Sequence, residues 1–391
     1  PYIRVQNMVY YSREEYDFYK SSYSPYVTAQ TDTLDKYYLF IEKGLTLLND
    51  GGMLGYIVPH KFMNIKSGAK LRELLSSNSS VKKILHFGTH QVFENRSTYT
   101  CILVLSKQGY EEFQIGFVQD WNRFLFNHDT ECSTYPAAYI SGQPWSFLPQ
   151  NIVAHLEEIS QSCVSLSTLV DIFVGVQTSA DQIYENFIYS YDRQGREFQI
   201  EKGILRKSIY DTQLVSYEKI EANSYIIFPY KAVNGRPVLY SLAEMTEDFP
   251  HALAYLNRFK DKLDERNMPG RTTENWFAFG RSQSLRRFLA GEHLVWPVLS
   301  TSSNYVYDND MVVFTGGGNG PFYGIEKKAT SQESIFYIQA ILNHWLMELL
   351  VKSRASTFRG DYYSHGKQFI ATLPIYKIDF ENPAEVAKHQ Q

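Results

Sequence analysis

The sequence predicts an α/β sheet region followed by an α+β region, on three observations. Helix-like and strand-like apolar runs alternate through residues 1–110. Beyond residue 150 the runs shorten, and glycines at 203, 235, 270, 280 and 316–318 punctuate them. The 391 residues leave room for two or three domains with cores of their own, and 44% apolar content is ordinary for a folded chain.

Taken in order, Asp35 stands where it can cap a helix over 36–49, in which Tyr37, Phe40, Ile41, Gly44, Leu45 and Leu48 share one face. Asp50-Gly51-Gly52 ends it, glycine being free to adopt the left-handed conformation. Met53 to Val58 is a nearly continuous apolar run, as expected of a buried parallel strand, and Pro59 stops it. Leu71, Leu74 and Leu75 mark a second helix. Strands are expected at 83–87 and 99–105, as a hairpin-like pair. This order suits the later half of a doubly wound sheet. Residues 111–150 are broken by Pro136, Gly142, Pro144 and Pro149 and read as a strand-containing connector. Residues 151–376 open with a short helix and continue as short strands and loops, and 377–391 form a polar tail expected to fray. No internal repeat is present.

Composition excludes several classes. No apolar run reaches the roughly 18 residues a membrane span needs, and the most apolar stretch, 335–351, is interrupted by Gln339, Asn343, His344 and Glu348. No membrane partner and no secretory signal are expected. Cys101, Cys132 and Cys163 are scattered, without metal-type spacing, which suits free thiols in a reducing cytoplasm. A net charge of −4 does not advertise a nucleic-acid binder, yet phosphate binding needs only a local basic surface. The 30 tyrosines and 25 phenylalanines could serve cores, base stacking or sugar binding, and composition does not choose among them.

The chain opens Pro1-Tyr2, followed by Tyr10, Tyr11, Tyr16, Tyr19 and Tyr23. Then come Asp35-Lys36-Tyr37 with Phe40-Ile41-Glu42 and Leu47-Leu48, Gly51 to Pro59 with Lys61-Phe62, Leu71-Arg72 with Leu75, Phe87-Gly88, Val92 to Arg96, and Thr98 to Leu105. In this order they resemble type IIG restriction-modification enzymes. Leu166 to Gly175, Gly203 to Arg206, Tyr225 to Tyr230, Trp276-Phe277 with Gly280-Arg281, Thr357 to Gly360 and Leu373 to Ile375 resemble, more loosely, the target recognition domain of Taq-type DNA adenine-N6 methyltransferases. The resemblance implies the distal half of a Rossmann-like methyltransferase sheet in 1–110, and an α+β recognition domain in 151–376. It also implies that the chain starts between the two prolines of an Asn-Pro-Pro-Tyr motif, as the C-terminal part of a larger bacterial or archaeal enzyme that is inactive without its upstream part.

The roles implied follow. Pro1 and Tyr2 complete the motif; Tyr2 stacks on a flipped adenine, Phe93 packs on its other side, and Arg96 lies near the flipped nucleotide. The plain alternatives are a surface tyrosine at a terminus, a core phenylalanine at a strand end and a solvated arginine. The methyl donor is S-adenosylmethionine, whose glycine-rich loop would lie upstream, so no residue here is assigned to cofactor binding. Gly316-Gly317-Gly318-Asn319-Gly320 is followed by no helix signal and reads as a turn or DNA-facing loop. No nuclease metal motif is evident, so Mg would enter only with a fused endonuclease. The partners implied are double-stranded DNA, S-adenosylmethionine and the upstream part of the same polypeptide.

Candidate DNA contacts are cations set among polar and aromatic residues. They are Arg206-Lys207; Arg281 and Gln283, with Arg286-Arg287 behind; and Lys352, Arg354, Arg359, His365 and Lys367, where Asp361 is the only acid between 352 and 367. Two other readings stay open: a specificity subunit without chemistry, for which the Tyr2 and Phe93 framework would be superfluous, and a carbohydrate-binding or glycan-processing protein, suggested by tyrosine content alone.

Overall fold

In a computed structural model the described residues are 5–390, without 94–97, 129, 149–151, 153–154, 157, 160, 186–198, 317–319, 356 and 359–361. Pro1, Tyr2, Arg96 and Arg359 therefore lie outside the described residues, as do Gly317, Gly318 and Asn319. The chain divides into two compact units, Pro1–Pro149 with Lys352–Tyr363, and Gln150–Val351 with Ser364–Gln391.

The first unit begins with two short helices, α1 (Val5–Tyr11) and α2 (Arg13–Lys20), and the longer α3 (Lys36–Leu47). Tyr37, Tyr38, Ile41 and Leu45 of α3 are buried, but Phe40 is exposed and Glu42 is buried in its place. The reason is polar: the Glu42 carboxylate accepts from Val27 N, Thr28 N and Thr28 Oγ1, at 2.8, 2.9 and 2.6 Å. Asp35 precedes the helix without capping it through its side chain, which pairs with Lys61 Nζ at 2.8 Å. Gly44 lets α3 approach the next strand, since a Cβ there would meet Leu54 Cδ2 at 2.8 Å.

That strand is β1 (Met53–Pro59), followed by α4 (Ala69–Ser77), β2 (Val81–His86), β3 (Thr100–Ser106), β4 (Glu112–Phe117), α5 (Trp121–Asn127) and β5 (Cys132–Pro136). The sheet order is β1-β3-β2-β4-β5. β3 runs antiparallel to both β1 and β2, with Ile57 and Leu85 both opposite Ile102, and β2 pairs parallel with β4. So β1, β2 and β4 share one direction in a mixed sheet, and β1, α4 and β2 form a split β-α-β unit around β3. The expected pair over 83–87 and 99–105 is present as β2 and β3. β1 differs from expectation: it is an edge strand of this sheet, only partly buried, rather than a strand flanked by parallel neighbours. Residues 111–150, expected as a strand-containing connector, supply β4 and β5, and their Phe113, Ile115 and Tyr135 share a core with Leu71, Leu75, Leu103 and Leu105.

The second unit contains β6 (Cys163–Ser165), β7 (Val170–Val174), β8 (Leu205–Ser208), β9 (Ser224–Ile227), β10 (Tyr230–Val233), β11 (Arg236–Leu239), β12 (His293–Pro297), β13 (Leu299–Ser300), β14 (Val306–Asp308) and β15 (Phe322–Lys327). Its four-stranded sheet has the order β14-β12-β15-β7, and β8–β9 and β10–β11 form antiparallel pairs. Phe173, Ile226, Phe228, Phe277, Phe288, Val295 and Phe314 form its aromatic-rich core. The apolar 335–351 stretch becomes two helices, Ile335–Leu342 and Trp345–Arg354, parted at Asn343, whose Oδ1 accepts from Tyr305 N at 2.9 Å. Two short strands, β16 (Thr357–Phe358) and β17 (Tyr362–Ser364), follow; β18 (Pro374–Tyr376) pairs with β6. The tail does not simply fray: Pro383–Gln390 is a helix, held by Tyr376 OH donating to Glu385 Oε1 and by Ser334 N donating to His389 Nε2. Among the described residues no helix is long and apolar enough to cross a membrane.

Candidate functional site

In sheets whose strands share a direction, ligands gather outside the carboxyl ends. In the first unit those ends are Pro59, His86 and Phe117. They bring together a row of flat side chains: the His60 and His86 ring centroids are 4.1 Å apart, and His86 and Phe117 are 5.1 Å apart. His60 also stacks with Tyr99, at 6.2 Å. Behind the row, Phe87 meets Trp121 and Phe124 edge-on, and His90 stacks on Trp121.

Both histidines fix the backbone between β2 and β3. Gly88 N donates to His86 Nδ1 at 3.0 Å, and Gly88 sits at φ +55°, a conformation that favours glycine. His60 N donates to Tyr99 O at 3.2 Å, at the other foot of the loop. Phe87 N donates to Thr100 O and His90 N to Phe87 O, closing the turn. Burial holds the His60 imidazole down to about pKa 4, partly offset by backbone hydrogen bonding at Gly88 and at His60 itself. Burial, followed by the neighbouring His60, holds His86 well below its ordinary value. Both rings are therefore neutral near pH 7, as His86 Nδ1 must be to accept from Gly88.

This loop carries Phe93. The side chain is 39% exposed on a bend, so Phe93 is not the core residue of the plain alternative. The row packs flat side chains at the foot of this loop, with His60 buried and Phe117 39% exposed. Among the described residues no group of histidines, cysteines and carboxylates could hold a metal ion.

The cationic candidates separate on inspection. His365 is a correction: it is 1% exposed, with Nδ1 3.3 Å from Ser300 Oγ and Nε2 3.6 Å from Glu348 Oε2, and its carbonyl accepts from Trp296 Nε1. A ring so enclosed knits the second unit together and cannot meet DNA. Arg354 is half-buried, its guanidinium held below its ordinary pKa by burial. Lys352 places Nζ 4.9 Å from the Tyr363 ring centroid. Both belong to the first unit, whereas Lys367 is exposed in the second, where its Nζ lies 3.5 Å from Ile172 O. Arg281 and Lys207 are exposed, and Lys207 is 3.9 Å from an Asp310 carboxylate that binds Lys219 more closely, at 2.9 Å. Arg206 is half-buried over the Phe228 ring, and Gln283 Nε2 reaches Gly175 O at 3.5 Å. Arg286 and Arg287 are both engaged by Glu326.

Residues 1–93 match the Eco57I restriction-modification methylase family. The whole chain aligns at 31% identity with the type II restriction enzyme and methyltransferase RM.Eco57I of Escherichia coli, spanning 41% of that protein. This chain is a relative of the restriction-modification methylases. A second relative, the type II methyltransferase M.BstVI of Geobacillus stearothermophilus, is 23% identical over 92% of the chain, which spans 63% of it. The fold is also that of a solved type IIL restriction-modification enzyme, MmeI, with TM-score 0.58 at 11% identity over 97% of this chain and 46% of that one. The chain thus spans about half the length of the relatives it matches.

Against this methylase background, sequence reading singled out Phe93 but missed the His60–His86 pair that fixes the feet of its loop. Its one available signal was a histidine at the end of each apolar run, His60 following Pro59 and His86 closing β2. Each alone is indistinguishable from an ordinary surface histidine.

Proposed function

We propose that this chain forms part of a DNA adenine-N6 methyltransferase of a restriction-modification system. Its first unit supplies one wall of a flipped-base pocket, and its second unit reads the target sequence. The observation carrying this is the exposed Phe93 on a loop fastened at the carboxyl ends of three co-directional strands. An adenine amine is a weak nucleophile because its lone pair is delocalised into the ring, and the base must leave the duplex to react. Phe93 would hold the extruded base by its face, with Tyr2 on the other face, while carbonyl and amide acceptors ahead of Tyr2 orient the amine.

S-adenosylmethionine supplies the methyl group when bound, and we place its binding loop in parts of the longer protein that this chain does not include, as the greater length of the relatives allows. The β1-β3-β2 arrangement supports reading the first unit as the distal half of a Rossmann-like sheet. The exposed Lys207, Arg281 and Lys367 support a DNA-facing role for the second unit. Whether an endonuclease is fused, as in the restriction enzyme and methyltransferase from Escherichia coli, is a property of the whole protein.

The test is Phe93→Ala in the full-length enzyme. Base stacking on an aromatic contributes about 1–3 kcal/mol, so methylation of its duplex site should fall on the order of 10- to 100-fold, with S-adenosylmethionine binding unchanged. Methylation at the wild-type rate would remove Phe93 from the pocket.

A further inference from the structure

Glu333 is enclosed in the second unit at 2% exposure, yet among the described residues its carboxylate accepts no hydrogen bond and pairs with no cation. It stands one residue ahead of Ser334, the cap of the helix Ile335–Leu342. The cap hydroxyl, not the glutamate, accepts from the Tyr337 amide. Tyr337 feels the charge: burial, followed by Glu333, pushes its hydroxyl up to about 12. That hydroxyl nevertheless donates to Tyr376 O, at 2.8 Å. A carboxylate withdrawn from water without a partner is strongly disfavoured, so the space in front of it matters.

That space is a cavity of about 560 Å³, which Glu333 lines. Its walls come from three places in the second unit: the turn Leu166–Leu169 after β6, residues 330–333 after β15, and residues 377–381 after β18. Buried Leu169 and Ile378, with half-buried Val164 and Phe380, give it an apolar side. Glu333, Asp379 and Glu381 stand against one cation in the lining, Lys377, whose ammonium makes no ion pair among the described residues. Lys377 therefore does not neutralise Glu333. The rim is held in place by Lys377 N donating to Ser162 O at 3.2 Å, Asp379 N to Glu385 Oε2 at 2.8 Å and Glu381 N to Asp379 Oδ1 at 3.0 Å.

The excess of carboxylates selects a positively charged ligand. A metal ion needs its oxygens gathered around one point, and among the described residues no group of histidines, cysteines and carboxylates could hold one. Carboxylates spread along an apolar wall suit positive charges spread along a hydrocarbon chain. We propose that this cavity binds a linear aliphatic diamine or polyamine, with one ammonium on the Glu333 carboxylate, methylenes along Leu169, Val164 and Ile378, and a second ammonium at Asp379 and Glu381. The inner contact is a charge-assisted hydrogen bond to an enclosed carboxylate and carries most of the affinity. The rim contacts are exposed to water, add less, and select for the second charge. The proposal uses none of the residues of the base-flipping reading and does not rest on it.

The experiment uses the full-length enzyme without DNA, at near-physiological salt, titrated in a calorimeter with putrescine and with butylamine. Putrescine should bind saturably at one site per chain, resist excess magnesium and bind more tightly than butylamine. Glu333→Gln should weaken both amines about tenfold or more. Glu381→Gln, a substitution at an exposed position, should weaken putrescine about two- to fivefold and leave butylamine unchanged. Putrescine should raise the melting temperature of the wild type and not that of Glu333→Gln. Absence of saturable binding to the wild type overturns the site. Binding that magnesium displaces is a diffuse counterion effect and overturns it too, as does binding that Glu333→Gln leaves unchanged. If Glu333→Gln does not fold, the Glu381→Gln arm decides: a loss for putrescine alone supports the site, and equal affinity for putrescine in variant and wild type overturns it.

Discussion

Arg72 carries a guanidinium into the interior of the first unit at 2% exposure, where its hydrogen-bond partners are all carbonyls. Nε donates to Gly142 O and Gln143 O, and Nη1 to Phe62 O and Ile65 O at 2.6 and 2.8 Å. Burial lowers its pKa from the ordinary value, yet the fork of donors ties the turn after β1 to the chain around residue 142. Arg72→Met strands several buried acceptors, each worth about 1–3 kcal/mol, and should lower unfolding stability by about 3 kcal/mol or more in urea melts. A change within experimental error would mean that water replaces the guanidinium freely. Gly324 shows the opposite kind of constraint. It lies opposite Phe173 in the β7–β15 ladder, and a Cβ there would fall 2.2–2.7 Å from ring atoms. Gly324→Ala should therefore destabilise by about 1–3 kcal/mol through overpacking. Gly55→Ala on β1, where nothing lies within 4 Å, serves as the neutral comparison. Equal melting of the two variants would count against this packing.

At the scale of elements, the His60–His86 pair makes the β2–β3 loop sensitive to acid. Around the two rings stand Tyr99 at the start of β3, Phe117 of β4 and the Gly88 backbone, while the adjacent Lys61 is paired with Asp35. Folded-state pKa values held below the unfolded value of about 6.5 mean that the unfolded chain binds more protons between that pH and the folded value. Stability is then fully present above about pH 6.5 and declines as pH falls toward the His60 value of about 4. The limiting slope is about 1.4 kcal/mol per pH unit for each histidine. His60→Gln/His86→Gln should flatten that acid limb, and an unchanged slope would exclude the pair as its source. The elements themselves were legible where period and punctuation agree, as in the runs that became β1, β2 and β3, whereas α3 ends at Leu47 with Leu48 already extended, ahead of the expected stop at Gly51, whose φ of +76° serves the turn into β1. What was not legible is partnership. That β3 inserts between β1 and β2 depends on contacts distant in sequence, and that Glu42 rather than Phe40 turns inward depends on two amides at Val27 and Thr28.

Over the whole molecule, the same limit explains the cationic clusters. Read along the chain, Lys352 to Lys367 is one basic segment, but folding assigns Lys352–Tyr363 to one unit and Ser364–Gln391 to the other, and encloses His365 among Trp296, Ser300 and Glu348. Sequence proximity records charge and not exposure, so three kinds of cation were indistinguishable: half-buried Arg354, ion-paired Arg287 and solvent-facing Arg281. With a net charge of −4, this chain would meet a polyanion through local patches, and on the proposed reading its affinity would come from exposed cations that touch phosphate. Each such contact contributes close to one unit to the slope of log K against log salt. If Arg281 and Lys367 are phosphate contacts, Arg281→Glu/Lys367→Glu in the full-length enzyme should weaken duplex binding and reduce that slope by about 2. S-adenosylmethionine binding should be unaffected. His365→Gln should instead lower stability and leave the slope alone, because an enclosed ring neutralises no phosphate. A salt slope unchanged by the double reversal would move the DNA-facing surface of the second unit away from Arg281 and Lys367, and a reversal that relaxes sequence choice at one base pair would mark a base-reading residue among them.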